Sequence, residues 1–145
     1  MRARILALVG VVALAAGAVV AVASTSASGL PSYTDGYAKW TRLNKKPFTS
    51  TGSLSRAHPG VKNVYASKKK GASRYPNGTV IVKTIQPAGR KGMPFQVAVM
   101  RKTNGRWRYD EYQLSGTRYG RLDYSQQLCQ GCHAQAKAND YVFTR

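Results

Sequence analysis

The sequence predicts a mainly β, α+β domain: an antiparallel sheet with a short helix before it and a C-terminal helix after it. Three observations predict this. Four segments rich in branched and aromatic residues, 62–67, 78–86, 95–102 and 106–114, follow one another with Gly-, Pro- and Lys-rich connections between them. Asn104-Gly105 separates the last two, and this pair suits the positive φ that both central positions of a type I′ hairpin turn require. After Gly116 and Gly120, Asp123 is the expected N-cap of a final helix that runs through Cys129 to about Lys137 and frays at Asn139-Asp140.

The elements follow in order along the chain. Arg2 and Arg4 precede 19 residues, Ile5 to Ala23, made only of Ala, Val, Leu, Ile and Gly. Ala21-Val22-Ala23 and Thr25-Ser26-Ala27 fit small-x-small cleavage sites, so residues 1–23 are expected to be a secretory signal peptide. The rival is an uncleaved anchor, because such a run just spans a bilayer, although it is rich in Ala and Gly and has no aromatic belt. Either reading puts the domain outside the cytoplasm, in a bacterium in the periplasm. The remainder suffices for one domain and not two.

Residues 24–36 are small, polar and aperiodic and read as a flexible tether, leaving 37–145 as the folded domain. Tyr37, Trp40 and Leu43 share the three-residue spacing of a short helix that Pro47 stops. Pro47, Gly52, Pro59 and Gly60 mark 47–60 as loop. Lys68-Lys69-Lys70-Gly71 reads as a solvated turn. The Asn-Gly turn sets a register in which Lys102 faces Trp107, Met100 faces Tyr109, Ala98 faces Glu111 and Val97 faces Tyr112. That hairpin carries apolar groups on both faces.

Chemistry concentrates in Cys129-Gln-Gly-Cys132-His133, a C-x-x-C-H run. Two thiols three apart on a helix share a face and can add to the two vinyl groups of one haem, with the next histidine as proximal iron ligand. A bare C-x-x-C also suits thioredoxin-type dithiols and half zinc sites. The trailing His133 distinguishes it, and with no second cysteine pair in the chain a zinc site cannot be completed. One covalent haem c is expected, held by Cys129 and Cys132, with His133 on the metal.

The formal charge is +18, and removing residues 1–23 leaves +16. In the cytoplasm this would suggest nucleic acid, but an exported chain does not meet it. An acidic redox protein or an anionic membrane surface is the expected partner, and a merely solvated basic surface is the alternative.

The closing stretch from Cys129 through Asp140-Tyr-Val-Phe-Thr144 resembles the end of the cytochrome P-460 and cytochrome c′-β family. Tyr75-Pro-Asn-Gly-Thr-Val-Ile-Val-Lys83 is similar to that family's aromatic-Pro-x-Gly-Thr-Val-x-Val-Lys strand, and Val64-Tyr65-Ala66 and Trp40 fit its earlier landmarks. The resemblance implies a mainly antiparallel β haem protein, often a homodimer, whose iron keeps an open position for nitric oxide or hydroxylamine. Members of the P-460 branch oxidise those compounds and bond a lysine of this strand to the haem edge, and the matching residue is Lys83. Members of the c′-β branch bind gases without that bond. Lys83 alternates with Ile81 and Ile85 on an apolar face, where an uncompensated ammonium is costly, although a lysine snorkelling from a strand end is the plainer alternative.

The resemblance also implies distal-pocket positions. Phe48 matches one near the distal wall, and Lys62 falls where some members have a distal arginine. Asp110 and Glu111 are the carboxylates that could take a proton from hydroxylamine, or they could simply pair with Arg106 or Arg108. His58, beside Pro59-Gly60, reads as a turn or hydrogen-bonding residue rather than a sixth ligand, and Met100 as core filling. Small nitrogen-ligand chemistry, as an oxidoreductase or a gas binder, is thus the first expectation. An electron-transfer cytochrome c docking acidic partners is the second.

Overall fold

The computed structural model describes residues 26–144, so the expected signal peptide or anchor at 1–23 lies outside the described residues. Among them no helix is long and apolar enough to cross a membrane. Seven strands form one antiparallel sheet: β1 (Thr41–Arg42), β2 (Phe48–Thr49), β3 (Val61–Ala66), β4 (Val80–Gln86), β5 (Gln96–Thr103), β6 (Arg106–Ser115) and β7 (Arg118–Leu122). Their order is β1-β3-β4-β5-β6-β7, with β2 pairing the start of β3 beside β1. The helices are α1 (Ser53–Ala57) and α2 (Gln126–His133), with 3₁₀ turns at Ser32–Thr34, Tyr37–Lys39 and Ala134–Asn139.

The expected mainly β class holds, and the four expected strands stand as β3 to β6. Asn104 and Gly105 take φ of 51° and 74°, as the tight turn requires. The four expected cross-strand pairs of the β5-β6 hairpin are all present. Because the sheet is covered on both faces, β4 is buried along nearly its whole length and reads as a continuous apolar run. One face carries Val64, Ala66, Ile81, Met100, Trp107 and Tyr109, packed against Tyr75 and Val142. The other carries Val80, Val82, Val97, Val99, Tyr112 and Tyr119, covered by Leu30.

Four local readings differ from the structure. Residues 26–36 are not a tether: Leu30 is buried, and Ser28 O accepts a hydrogen bond from Tyr119 N–H at 2.8 Å, which ties this segment to β7. The helix expected through Leu43 is only the turn Tyr37–Lys39, after which the chain extends into β1 so that Leu43 N–H can bond Val64 O. The stretch 47–60 contains β2 and α1 rather than loop alone. The cap of α2 is Ser125, whose hydroxyl accepts from Leu128 N–H at 3.2 Å, and Asp123 lies before it. That helix also ends at His133 and tightens into a 3₁₀ turn through Asn139.

Candidate haem site

The C-terminal segment crosses the Ile81/Met100/Tyr109 face and is fastened to it at both ends. Beyond the end of β7, Tyr109 has no strand partner on that side, and the Gln126 side chain substitutes for one. Its amide accepts from Tyr109 N–H at 3.0 Å and donates to Tyr109 O at 2.5 Å. At the other end Asp140 is buried, accepting from Lys102 Nζ and from Tyr75 N–H. Between these anchors α2 holds Cys129, Cys132 and His133 over the sheet.

His133 is 7% exposed. Its Nδ1 lies 2.7 Å from Tyr141 O, and since a carbonyl only accepts, Nδ1 carries the proton and Nε2 carries the lone pair. Fixing the second ring nitrogen in this way is how proteins orient a histidine for a metal. The ring packs on Tyr109 at 4.7 Å and edge-on to Phe143 at 5.2 Å between centroids. Burial pushes its pKa down to about 4, the Tyr141 bond opposes that, and Lys83 adds to it. The imidazole is therefore neutral at physiological pH.

Cys129, Cys132 and His133 line one cavity of about 450 Å³, whose remaining walls include Val64, Ile81, Met100, Val142 and Phe143. Both thiols are free. Two free thiols, an imidazole presenting a lone pair and a largely apolar chamber of this size fit a haem. Cys129 and Cys132 would hold it, with His133 Nε2 on the iron.

Lys83 stands in the cavity wall at 7% exposure, with Nζ 5.6 Å from the Phe143 ring centroid. It does not snorkel to solvent. Burial and the neighbouring Lys62 lower its pKa to about 8, partly opposed by Glu111. Glu111 lies two strands across in the same row, because Lys83 pairs Ala98 and Ala98 pairs Glu111. It does not pair with Arg106 or Arg108. Its Oε2 accepts from Gln96 Nε2 at 3.3 Å, its Oε1 lies 3.3 Å from His58 Nδ1, and burial pushes its pKa up to about 7. Asp110, its neighbour on β6, pairs with Arg121 at 2.8 Å.

The two other distal candidates take different places. Phe48 is half-buried against the core and lines a side recess of about 60 Å³ together with His58, Lys83 and Phe143. Lys62, 1% exposed, donates to Gly60 O at 2.9 Å and reaches the cavity through its charge on Lys83 and His58. His58 itself is a cavity wall. Its spacing in the sequence gave no sign of this, because the approach to Glu111 depends on the turn at Gly60 between α1 and β3.

Fold and site together fit a mainly β haem-binding cytochrome. A family model described as Cytochrome P460 matches residues 34–144. The chain belongs to the Cytochrome P460 family. No curated protein matches it.

Proposed function

We propose that the protein is an exported cytochrome with one covalent haem c, bound through Cys129 and Cys132, that takes up small nitrogen compounds at an open iron position and oxidises them. The observation that carries this reading is the single cavity that brings the Cys129, Cys132 and His133 set together with Lys83, Glu111 and His58. The haem would supply a redox-active iron with a vacant coordination position. The chain supplies the rest. Tyr141 O holds the His133 tautomer, and Ile81, Met100 and Val142 give the chamber an apolar wall. Each electron withdrawn from hydroxylamine is accompanied by a proton, and Glu111, poised near neutrality by burial, is placed to receive it. Lys83 is buried on the wall with a lowered pKa and is the amine available to bond the haem edge. The electrons withdrawn from the nitrogen compound would pass to an acidic redox protein drawn by the basic surface.

Absorption spectroscopy and intact mass of the haem-loaded protein test this reading. A five-coordinate ferrous form that takes up nitric oxide or carbon monoxide is expected, with one haem added to the chain mass. A six-coordinate spectrum unmoved by either gas would instead identify an electron carrier.

A further inference from the structure

His58 and His133 approach the cavity from neighbouring rows of the same sheet face. His133 packs on Tyr109 and His58 faces Glu111. Tyr109 and Glu111 are two residues apart on β6, so their side chains point the same way about 7 Å apart. A group held by Cys129 and Cys132 in this cavity would have both His133 and His58 among its surrounding walls.

The two residues that follow fix the backbone at His58. Pro59 restricts it to extended conformations, and it has φ −136° and ψ 79°. Gly60, at φ +111°, seats the turn so closely that a Cβ there would come within 2.6 Å of Gln86 O. His58 Nδ1 is buried without an aligned hydrogen bond, and the nearest polar partner is Glu111 Oε1. Against an ionised Glu111 the proton belongs on Nδ1, which leaves Nε2 as an acceptor. Burial, then Lys83 and Lys62, keep the ring neutral.

We infer that His58 is the distal contact residue of this site: Glu111 positions it, and its Nε2 accepts a hydrogen bond from the ligand opposite His133, favouring ligands that carry N–H or O–H. This rests on the open-site reading above. It also divides the two carboxylate-side roles, with His58 touching the ligand and Glu111 acting through it.

The test is ligand binding at about pH 8 by the haem-loaded protein, in wild type, His58→Phe, His58→Gln and Glu111→Leu. Hydroxylamine and methoxyamine are titrated into the ferric form and carbon monoxide into the ferrous form, and the C–O stretch is recorded. His58→Phe is expected to weaken both amines about fivefold, the counterpart of one neutral hydrogen bond. Carbon monoxide, which has no proton to give, keeps its affinity and reports that the site is intact. Its C–O stretch falls when the nearby lone pair is removed. His58→Gln restores part of the amine affinity through its carbonyl oxygen, and Glu111→Leu loses part of it. Unchanged amine affinity and stretch in His58→Phe overturn the inference and leave the open-site reading standing. A wild type that excludes carbon monoxide while His58→Phe admits it makes His58 an iron ligand and overturns both. Failure of every variant to take up carbon monoxide also overturns both.

Discussion

Lys102 Nζ donates to Asp140 Oδ2 at 2.5 Å within the core, joining the β5-β6 hairpin to the segment that carries His133. Lys102 is 3% exposed and its ammonium also lies 5.2 Å from the Trp107 ring centroid. The same carboxylate oxygen accepts from Tyr75 N–H at 2.8 Å, so one buried charge pair fastens three parts of the chain. It lies beside the chamber and is not part of it.

Lys102→Met leaves the Asp140 carboxylate buried without its counter-charge and is predicted to cost about 3–5 kcal/mol in urea unfolding. Lys102→Met/Asp140→Asn is expected to recover part of that loss, because a neutral amide oxygen still accepts from Tyr75. Equal destabilisation of the single and double variants would show that packing of the lysine stem, rather than charge, carries the effect.

Lys83 has the reverse energetics. Burial lowers its pKa from 10.5 to about 8, so at neutral pH the fold holds an ammonium it would prefer neutral. Lys83→Met is predicted to raise stability by about 1–3 kcal/mol. In the haem-loaded protein the same variant is expected to show an ordinary haem c spectrum. Wild type is expected to have a red-shifted ferrous Soret band and a haem peptide that includes Lys83. A wild-type haem peptide lacking Lys83 would place the protein with the gas-binding branch of the family.

Glu111 and His58 oppose one another in the pH dependence of stability. Burial lowers His58 from 6.5 to about 3, so between those values the unfolded chain binds a proton that the fold refuses. This contribution is present above 6.5 and is lost as pH falls. Burial raises Glu111 from 4.5 to about 7, so between those values the fold keeps a proton that the unfolded chain has released, and stability falls as pH rises. Over the shared interval the two cancel. Glu111→Gln is predicted to unmask the His58 contribution, steepening the rise of stability between about pH 5 and 6 by up to about 1.4 kcal/mol per pH unit. His58→Phe is expected to tilt the slope the other way. Parallel urea curves for all three proteins would count against both shifts.

The sheet was legible because its signals are local. Alternation and branched residues marked β3 to β6, and the Asn104-Gly105 turn set the hairpin register residue by residue. β7 was missed because Arg118-Tyr-Gly-Arg-Leu122 has neither alternation nor branching, and it pairs only because the hairpin edge is open to it. The Cys129-Cys132-His133 set was legible because covalent chemistry demands a fixed spacing. His58 was not, since its meeting with Glu111 spans 53 positions and depends on the turn at Gly60. Leu30 looked like part of a tether because a lone apolar residue among serines has no period, yet the outer face of β4 and β5 needs a cover.

That turn at Gly60 can be tested directly. Its φ of +111° is a conformation that side chains with a Cβ adopt only under strain, and the added Cβ would also press into Gln86 O, a backbone atom that cannot rotate away. Gly60→Ala is therefore predicted to cost about 2–3 kcal/mol in thermal or urea unfolding. Gly89→Ala supplies the control, since Gly89 also has positive φ, at +77°, but nothing lies near its Cβ position. It is expected to cost only about 1 kcal/mol. The two variants differ further in function, because Gly60 O accepts from Lys62 Nζ and the turn carries His58. Gly60→Ala is expected to alter the spectrum of the ferrous carbon monoxide form, whereas Gly89→Ala leaves it as in wild type. Equal costs and unchanged spectra in both variants would mean that the turn can relax without moving His58.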